Sequence, residues 1–364
     1  MFRPPRCPNP SCTQHWTPAA SFCWRVGYYQ PRCRNEPVPR FRCKSCRRGF
    51  SRQTFRHDYR DRRPECNELL FSLLTSGVSL RQSGRLLKLG VQSVQRKMWK
   101  LSKTLEGLHE NLSVRLPTGR TYLMDEEETF EHASIRPLTM PVVIERSTWF
   151  IVSTSVGSIR RLAPEGTARR RRQMRDERKH GRRPDQSARC VRTALAALRR
   201  RVSGPIVLQT DKKSSYPRIA KRLFGDRLRH ETTVSTRARD TSNPLFPINT
   251  TLAMTRDNCG RLRRKSWLVS KKGERLQAQM ALFIAYRNYI RPRFNVDQPQ
   301  ETPAVLLRLL PRPLQPSEAV RWRQDWCSRS PHPMSLLATA RSRTPEQPRS
   351  DFDRVAIEIA RSNR

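Results

Sequence analysis

With 364 residues, the chain is long enough for two or three domains that each bury an apolar core. Its 73 lysine and arginine residues against 31 acidic residues give a formal net charge of +42, so a polyanion such as nucleic acid is the expected partner. No apolar run reaches the roughly 20 residues that span a bilayer, and no signal-peptide core follows Met1. These features argue against a membrane protein and predict a location inside the cell.

The cysteines are concentrated near the start of the chain, where six of the ten lie in the first 46 residues. Cys7 and Cys12 form one close pair, and Cys43 and Cys46 form another. Two close pairs separated by a long gap are typical of a tetrahedral, structural Zn²⁺ site, because each pair forms a turn that directs two sulfurs to one point. We therefore expect a zinc ribbon over residues 1–60, with these four cysteines as the ligands.

Other side chains of this region are alternative ligands. Cys23 and Cys33 are too far apart in sequence to share one such turn, and we expect neither to bind the metal, although either remains a possible replacement for Cys12. His15 is a further rival. Gly49 is expected to allow the tight turn after the second cysteine pair, because glycine adopts backbone angles that other residues avoid.

Residues 61–112 carry apolar side chains at helical spacing, and residues 77–96 match the pattern of a helix-turn-helix. Ser79 is expected to cap the first helix, and Gly90 is expected to allow the sharp turn between the helices. The contact between the two helices is predicted to use the apolar residues Leu80, Leu86, Leu87, Val91, Val94 and Met98.

The second helix of such a motif reads base edges in the major groove of DNA. Amide and guanidinium groups suit bases, whereas lysines more often contact phosphate. An ordinary helical hairpin with a solvated polar face is the alternative interpretation. The residues predicted to contact double-stranded DNA are Gln92, Ser93, Gln95, Arg96, Lys97 and Lys100.

From residue 117 onwards, strand-like runs precede and then alternate with helices, which predicts an α/β domain with a central mixed sheet. Asp125 lies at the end of an apolar strand, and Asp211 ends another. Carboxylates at the ends of adjacent strands can hold Mg²⁺ or Mn²⁺ for phosphodiester cleavage. The alternatives are a solvated Asp125 within an acidic run and an Asp211 that caps the following helix.

Two segments of the chain are strongly basic. Residues 159–185 are predicted to form an exposed, mobile loop, which is either a nonspecific clamp on flanking DNA or a solvated linker. Residues 293–364 are rich in proline and arginine and are expected to form a partly ordered tail. Within this tail, Trp322 and Trp326 are four residues apart and either form a small core or stack on bases.

Several motifs follow the ribbon and the helix-turn-helix in an order that resembles insertion-sequence transposases of the DDE superfamily. The resemblance covers about residues 7–292 and implies a ribonuclease-H-like catalytic core over residues 117–292, with residues 159–185 as a basic insertion. The motifs that carry it are Met124-Asp125-Glu126, Gln209-Thr210-Asp211, residues 243–250, residues 263–267 and residues 285–289.

The resemblance also implies a set of catalytic residues. Asp125 and Asp211 correspond to the first two metal-binding aspartates of the family, and Asn249 occupies the third position. Arg256, two helical turns after Asn249, corresponds to a basic residue that steadies DNA near the metals. Most of the family has glutamate where this chain has Asn249, and a neutral amide adds no charge to a magnesium site.

Asp257 and Glu274 are rival candidates for the third ligand. The implied function is a bacterial transposase, associated with the nucleoid in the cytoplasm, that acts as a homo-oligomer on DNA. It would bind the inverted ends of its element and catalyse strand cleavage and strand transfer with Mg²⁺ or Mn²⁺. The alternative is a catalytically inactive, zinc-containing, sequence-specific DNA-binding protein, and the identity of residue 249 bears on the choice.

Overall fold

A computed structural model of the chain describes residues 2–31, 36–56, 58–59, 61–234, 236–238, 240–263 and 267–322. None of the helices in these ranges combines the length and the apolar character that a bilayer crossing demands.

The first 55 residues form a small unit around a three-stranded antiparallel sheet of order β1-β2-β3. Its core is aromatic, because the ring of Phe50 packs 5.8 Å from the rings of Phe41 and Phe55 and 6.2 Å from that of Phe22. Such rings bury a large apolar area in a unit too small for a conventional core. Its elements are α1 (Thr13–Trp16), β1 (Cys23–Tyr29), β2 (Val38–Cys43) and β3 (Gly49–Ser51).

The turn after the second cysteine pair does not use the residue that we expected. Gly49 begins β3, whereas Arg47 has the left-handed backbone, with φ of +59°. The Arg47 N–H donates to the Cys43 carbonyl oxygen at 3.1 Å and closes the turn. The prediction for Gly49 is therefore wrong, and the strain lies on an arginine.

Three helices follow: α2 (Asn67–Thr75), α3 (Leu80–Leu86) and α4 (Val91–Leu112). The predicted cap of α3 is confirmed, because the Ser79 hydroxyl accepts from the Gln82 N–H and the Gln82 side chain bonds back to the Ser79 N–H. This reciprocal pair satisfies two N–H groups that a helix end leaves free. Val94 and Met98 are buried as expected, whereas Leu86 and Val91 are exposed, contrary to the prediction.

The turn between α3 and α4 also depends on a different glycine. Gly90 precedes α4 with an ordinary extended backbone, and Lys88 has the left-handed one, with φ of +51°. Gly84 is the position that requires the absence of a side chain, because a Cβ there would lie 2.7 Å from the Leu89 carbonyl oxygen. The close approach of the turn to α3 therefore selects glycine at residue 84.

The remainder of the chain surrounds a mixed sheet, which confirms the prediction of helices around such a sheet. The strand order is β6-β5-β4-β8-β9, with β7 paired to β5; β4, β5 and β6 are antiparallel, whereas β8 runs parallel to β4 and β9. The strands are β4 (Thr121–Phe130), β5 (Pro137–Glu145), β6 (Ile151–Thr154), β7 (Gly157–Ser158), β8 (Ile206–Asp211) and β9 (Leu228–Thr233).

Helices cover both faces of this sheet. Alternate residues of β4 enter different apolar clusters: Tyr122 and Met124 pack with α6, and Leu123 packs with α8. This alternation follows from the two-residue period of a strand. The helices of this part are α5 (Ala168–His180), α6 (Ser187–Arg201), α7 (Ser215–Phe224), α8 (Phe246–Asn258) and α9 (Gly273–Tyr289).

The basic segment 159–185 is not the mobile loop that its composition predicted. Residues 168–180 form α5, and the Thr167 hydroxyl caps it by accepting from the Arg170 N–H. Two ion pairs, Arg136–Asp176 and Arg160–Glu177, attach the helix to neighbouring segments. Composition alone does not reveal that two acids of this arginine-rich stretch pair with arginines outside the helix and anchor it.

The start of the expected tail is packed rather than loosely ordered. It contributes the short helices α10 (Pro303–Leu306) and α11 (Pro316–Val320), and Leu307, Leu310 and Leu314 are buried in the main apolar cluster. Trp322 packs against the same cluster, while Trp326 lies outside the described residues.

One apolar cluster joins α2 and α4 to the sheet through α9, and it includes Leu70, Leu105, Phe150 and Leu282. At the junction, buried His109 of α4 bonds to the Tyr289 hydroxyl at 2.8 Å and to the Val152 carbonyl oxygen at 2.9 Å. Residues 61–112 and the sheet therefore share a core.

We expect Leu307→Ala to lower the free energy of unfolding by about 2–5 kcal/mol, because it empties a site in this core. Leu307 is 1% exposed, whereas Leu86 is 64% exposed. Leu86→Ala is therefore the matched control and should change stability by no more than about 0.5 kcal/mol. Urea unfolding, monitored by circular dichroism, measures the free energy of unfolding of both variants. Equal decreases in this free energy would contradict the packing of residues 303–320.

Candidate functional site

The four cysteines of the two close pairs converge in the ribbon. The sulfurs of Cys7, Cys12, Cys43 and Cys46 all lie within 4.8 Å of one another. The Cys7 and Cys46 sulfurs are 3.5 Å apart, and those of Cys12 and Cys43 are 3.8 Å apart. Four converging sulfurs are the donor set of a closed structural zinc site, which leaves no position for a substrate.

The rival ligands lie outside this group. Cys23 pairs with Cys43 across the sheet through the backbone, but its sulfur is not among the four. His15 is buried and its Nδ1 lies 2.7 Å from the Cys7 carbonyl oxygen, so it contacts the backbone of a cysteine of the cluster. Cys33 lies outside the described residues.

The thiols of the site differ in acidity. Burial raises the pKa of Cys7 strongly, since it disfavours a thiolate. Burial also opposes ionisation of Cys46, but hydrogen bonds from the Arg48 backbone and from Cys7 outweigh it and lower the pKa of Cys46 to about 7. Cys46 is therefore the thiol best suited to ionise first when a metal enters.

A pair of aspartates lies where β4 and β8 run side by side. The register pairs Thr121 with Val207 and Leu123 with Gln209, and its continuation by two residues places Asp125 beside Asp211. Neighbouring strands are about 4.8 Å apart, and directly opposed residues face the same side of a sheet. The two carboxylates therefore share one face. The prediction that Asp125 ends its strand is wrong, because β4 continues to Phe130, whereas Asp211 is the last residue of β8.

Electrostatics supports this proximity. The pKa of Asp125 is raised to about 6, chiefly by burial and in addition by the nearby charges of Asp211, Glu126 and Glu127, while the Glu126 N–H opposes the rise by stabilising the carboxylate. Like charges that are held close together at a half-buried site repel one another, and a bound divalent cation reduces this repulsion. The fit of these carboxylates to Mg²⁺ rests on their oxygen donors and on this unrelieved repulsion.

Arg256 lies on the same side of the sheet as Asp125, and its side chain is paired with an acidic residue. Its guanidinium forms an ion pair with Glu127, two residues beyond Asp125 on the same face of β4. Asn249 is half-buried in the first turn of α8, seven residues before Arg256, about 10 Å away along the helix. In the described part of the chain, no hydrogen bond joins the Asn249 side chain to either aspartate.

The opposite face of β4 holds a polar network centred on Glu126. One carboxylate oxygen accepts from Lys213 Nζ at 2.7 Å and from the Tyr216 hydroxyl at 2.8 Å. The other accepts from the Thr139 hydroxyl at 2.6 Å and from the Ser187 hydroxyl at 3.3 Å. The network ties β4 to β5, α6 and the loop after Asp211, so it holds the two aspartate-bearing strands against each other.

The alternative interpretation placed a solvated Asp125 within an acidic run, and neither interpretation assigned a role to the two acids that follow it. Glu126 and Glu127 are both bonded inside the protein on opposite faces. Their strict alternation along a strand was the available signal. The rival third ligands are placed differently, since Asp257 and Glu274 are both exposed and Glu274 lies beside Arg275.

The outer surface of α4 presents part of the predicted DNA-reading set. Gln92, Gln95 and Arg96 are exposed, and Ser93 is half-buried. Lys97 is different: it is 7% exposed, and its ammonium bonds to Asp61 and to the Arg63 carbonyl oxygen, each at 2.6 Å.

The prediction that Lys97 contacts phosphate is therefore corrected, because its charge is used inside the protein. Lys100 is half-buried and donates to the Tyr59 carbonyl oxygen. Both lysines attach the segment before α2 to α4, and we remove them from the set of expected DNA contacts.

Comparison with known proteins adds independent information. No family model matches the chain. A segment of 83 aligned residues is 30% identical to the insertion element iso-IS1N protein InsA of Shigella dysenteriae, and covers 89% of that protein and 20% of this chain. The chain belongs to the family of insertion-element InsA proteins. Because the relative is short, the match leaves most of this InsA-family chain without a counterpart.

We expect the purified protein to carry about one Zn²⁺ per chain and Cys43→Ser to lose it, because the tetrahedral set would lack one sulfur. Cys23→Ser is the matched control, since Cys23 neighbours the cluster without belonging to it. Atomic absorption after gel filtration measures the metal. Loss of zinc in both variants, or in neither, would contradict the assigned ligands.

We expect Asp125→Asn to stabilise the metal-free protein above pH 6. The pKa of Asp125 rises from 3.8 to about 6 in the folded protein, so the folded state holds this proton more tightly and stability falls as pH rises through that window. At pH 7.5 the gain reaches at most about 3 kcal/mol.

The measurement is thermal unfolding at pH 5 and pH 7.5, with exposed Asp257→Asn as the control. Added Mn²⁺ should raise the Tm of the wild type and leave that of Asp125→Asn unchanged, since only the first has the full ligand pair. An equal rise in both would argue against metal binding at Asp125.

Proposed function

We propose that this chain is an insertion-element transposase that binds the ends of its element and catalyses Mg²⁺- or Mn²⁺-dependent DNA strand cleavage and strand transfer. The observation that carries the proposal is the β4–β8 register, whose continuation brings Asp125 and Asp211 to one sheet face, close enough for their charges to interact. A net charge of +42 and membership in an insertion-element family support DNA as the substrate.

The arrangement of the sheet supports a ribonuclease-H-like catalytic core over residues 117–292. Three antiparallel strands are followed by two parallel ones, and the two aspartates lie on the central β4 and on the adjacent β8. Residues 1–60 would act as a zinc ribbon and residues 61–112 as a helix-turn-helix domain, with α4 as the helix that reads DNA. The exposed Gln92, Gln95 and Arg96 are the proposed base-reading side chains.

Asp125, Asp211 and the amide oxygen of Asn249 are the proposed ligands of the divalent metal, which would activate the attacking oxygen and stabilise the leaving oxygen. The protein's own contribution is to position these ligands. Glu127 keeps Arg256 beside the carboxylates, where its positive charge also faces the incoming phosphate. Lys213 neutralises Glu126 behind them, which reduces the negative charge that the substrate would meet.

Asp125→Ala and Asp211→Ala should each reduce strand cleavage by more than about a hundredfold, because even outer partners of a metal site cost 10–100-fold. Binding to the element's ends should be nearly unchanged, since the proposed reading helix lies elsewhere. The assay is cleavage of end-bearing duplex DNA with Mg²⁺ or Mn²⁺, and Asp257→Ala, an exposed acid and rival ligand, is the control. Equal cleavage by wild type and both variants would overturn the enzymatic proposal.

A second function is favoured by one observation, the neutral Asn249 at the third position. A wild-type protein that binds the ends without cutting them would be a DNA-binding regulator or a decayed transposase. Asn249→Glu then distinguishes a metal site that binds weakly from one that no longer functions. At a weak site, the restored carboxylate should raise metal affinity and cleavage. Wild-type cleavage would exclude this second function.

A further inference from the structure

Helix α5 has two faces of different chemistry. Its inward face is polar: Gln173 accepts from the Ala163 N–H at 2.9 Å, Asp176 accepts from Arg136 at 2.9 Å, and Glu177 accepts from Arg160 at 2.9 Å. Both acids of the helix are therefore used to dock it. This docking holds an arginine-rich helix in a defined place on the protein.

The outward face is dominated by basic groups at regular intervals, although Ala168 and Met174 are exposed as well. Arg171, Arg172, Arg175, Arg178 and Lys179 are exposed and recur at spacings of three and four residues, which places them on one side of a helix. Across the described ranges, no acid pairs with Arg172, Arg175, Arg178 or Lys179. Like charges this close repel one another, so the face is poised for a polyanion.

The position of α5 relative to the carboxylates can be estimated. Arg136 and the Ser134 carbonyl oxygen, which bind the helix, lie in the turn between β4 and β5. Glu131, whose N–H donates to the Arg136 carbonyl oxygen, is six residues beyond Asp125. At about 3.3 Å per residue, the strand covers roughly 20 Å between Asp125 and the turn to which the inward face of α5 is docked.

We propose that the outward face of α5 binds the phosphate backbone of duplex DNA that flanks the cleavage site. This inference rests on the proposed function, since it assumes that DNA reaches Asp125 and Asp211. An anionic membrane surface fits less well, because a helix that lies on lipid needs an apolar face and the inward face of α5 is polar and docked.

The test compares two variants that each remove four positive charges. Glutamine preserves helix propensity, so both should keep the wild-type circular dichroism spectrum. The α5 variant combines Arg172→Gln, Arg175→Gln, Arg178→Gln and Lys179→Gln. The control combines the exposed changes Arg199→Gln, Arg200→Gln, Lys221→Gln and Arg222→Gln, which lie near the ends of α6 and α7.

Affinity for a duplex of arbitrary sequence is measured without divalent metal at several salt concentrations. Each lost phosphate contact lowers the slope of log K against log salt by about 0.9, so the α5 variant should lose about 3–4 units and the control less than about 1. Equal slopes in the two variants would overturn the inference while leaving the proposed function standing.

Two further outcomes are informative. If the wild-type protein binds no duplex, the proposed function is overturned as well as the inference. This outcome is distinguishable, because the wild type and both variants would then all fail to bind. Loss of binding to vesicles of phosphatidylglycerol by the α5 variant, with duplex binding unchanged, would overturn the inference in favour of a membrane surface.

Discussion

The parallel pairing of β4 with β8 is the constraint on which the candidate catalytic centre depends. A shift of one residue in this pairing would turn one aspartate of the pair, Asp125 or Asp211, to the other face of the sheet. Apolar residues on both sides of β4 oppose such a shift, since Tyr122 and Leu123 fill different cores. The hydrogen bonds from Lys213 and Tyr216 to Glu126 oppose it as well, because a slip would leave a buried carboxylate without partners.

The same strand concentrates negative charge in a protein that is otherwise strongly positive. Glu126 and Glu127 are each compensated by a dedicated cation, Lys213 on one face and Arg256 on the other. Among the described residues Asp125 has no such cation, and its pKa is raised by burial and by its neighbours. An added cation would therefore be stabilised by this acid, as the proposed metal site requires.

The sequence predicted the features that depend on local spacing. The paired cysteines, the Ser79 cap and the position of Asp211 at the end of β8 are all consequences of short-range geometry. It did not predict features set by distant partners. Lys97 was assigned to phosphate because its buried acceptor, Asp61, is 36 residues away in sequence. Helix α5 and the packed residues 303–320 were missed for a related reason, since composition describes a segment but not what anchors it.

The core shared by α4 and the sheet has a geometric consequence. With His109 bonded to Tyr289 and to the Val152 carbonyl oxygen, the helix proposed to read DNA cannot swing independently of the aspartates. Under the proposed function, a protein built in this way would act as a molecular ruler, because packed side chains would set the distance from the recognised bases to the reacting phosphate. The fold would then determine the position of the cut. If the distance between the recognised bases and the cleavage site changed by even one base pair, the duplex would have to bend to fit the protein.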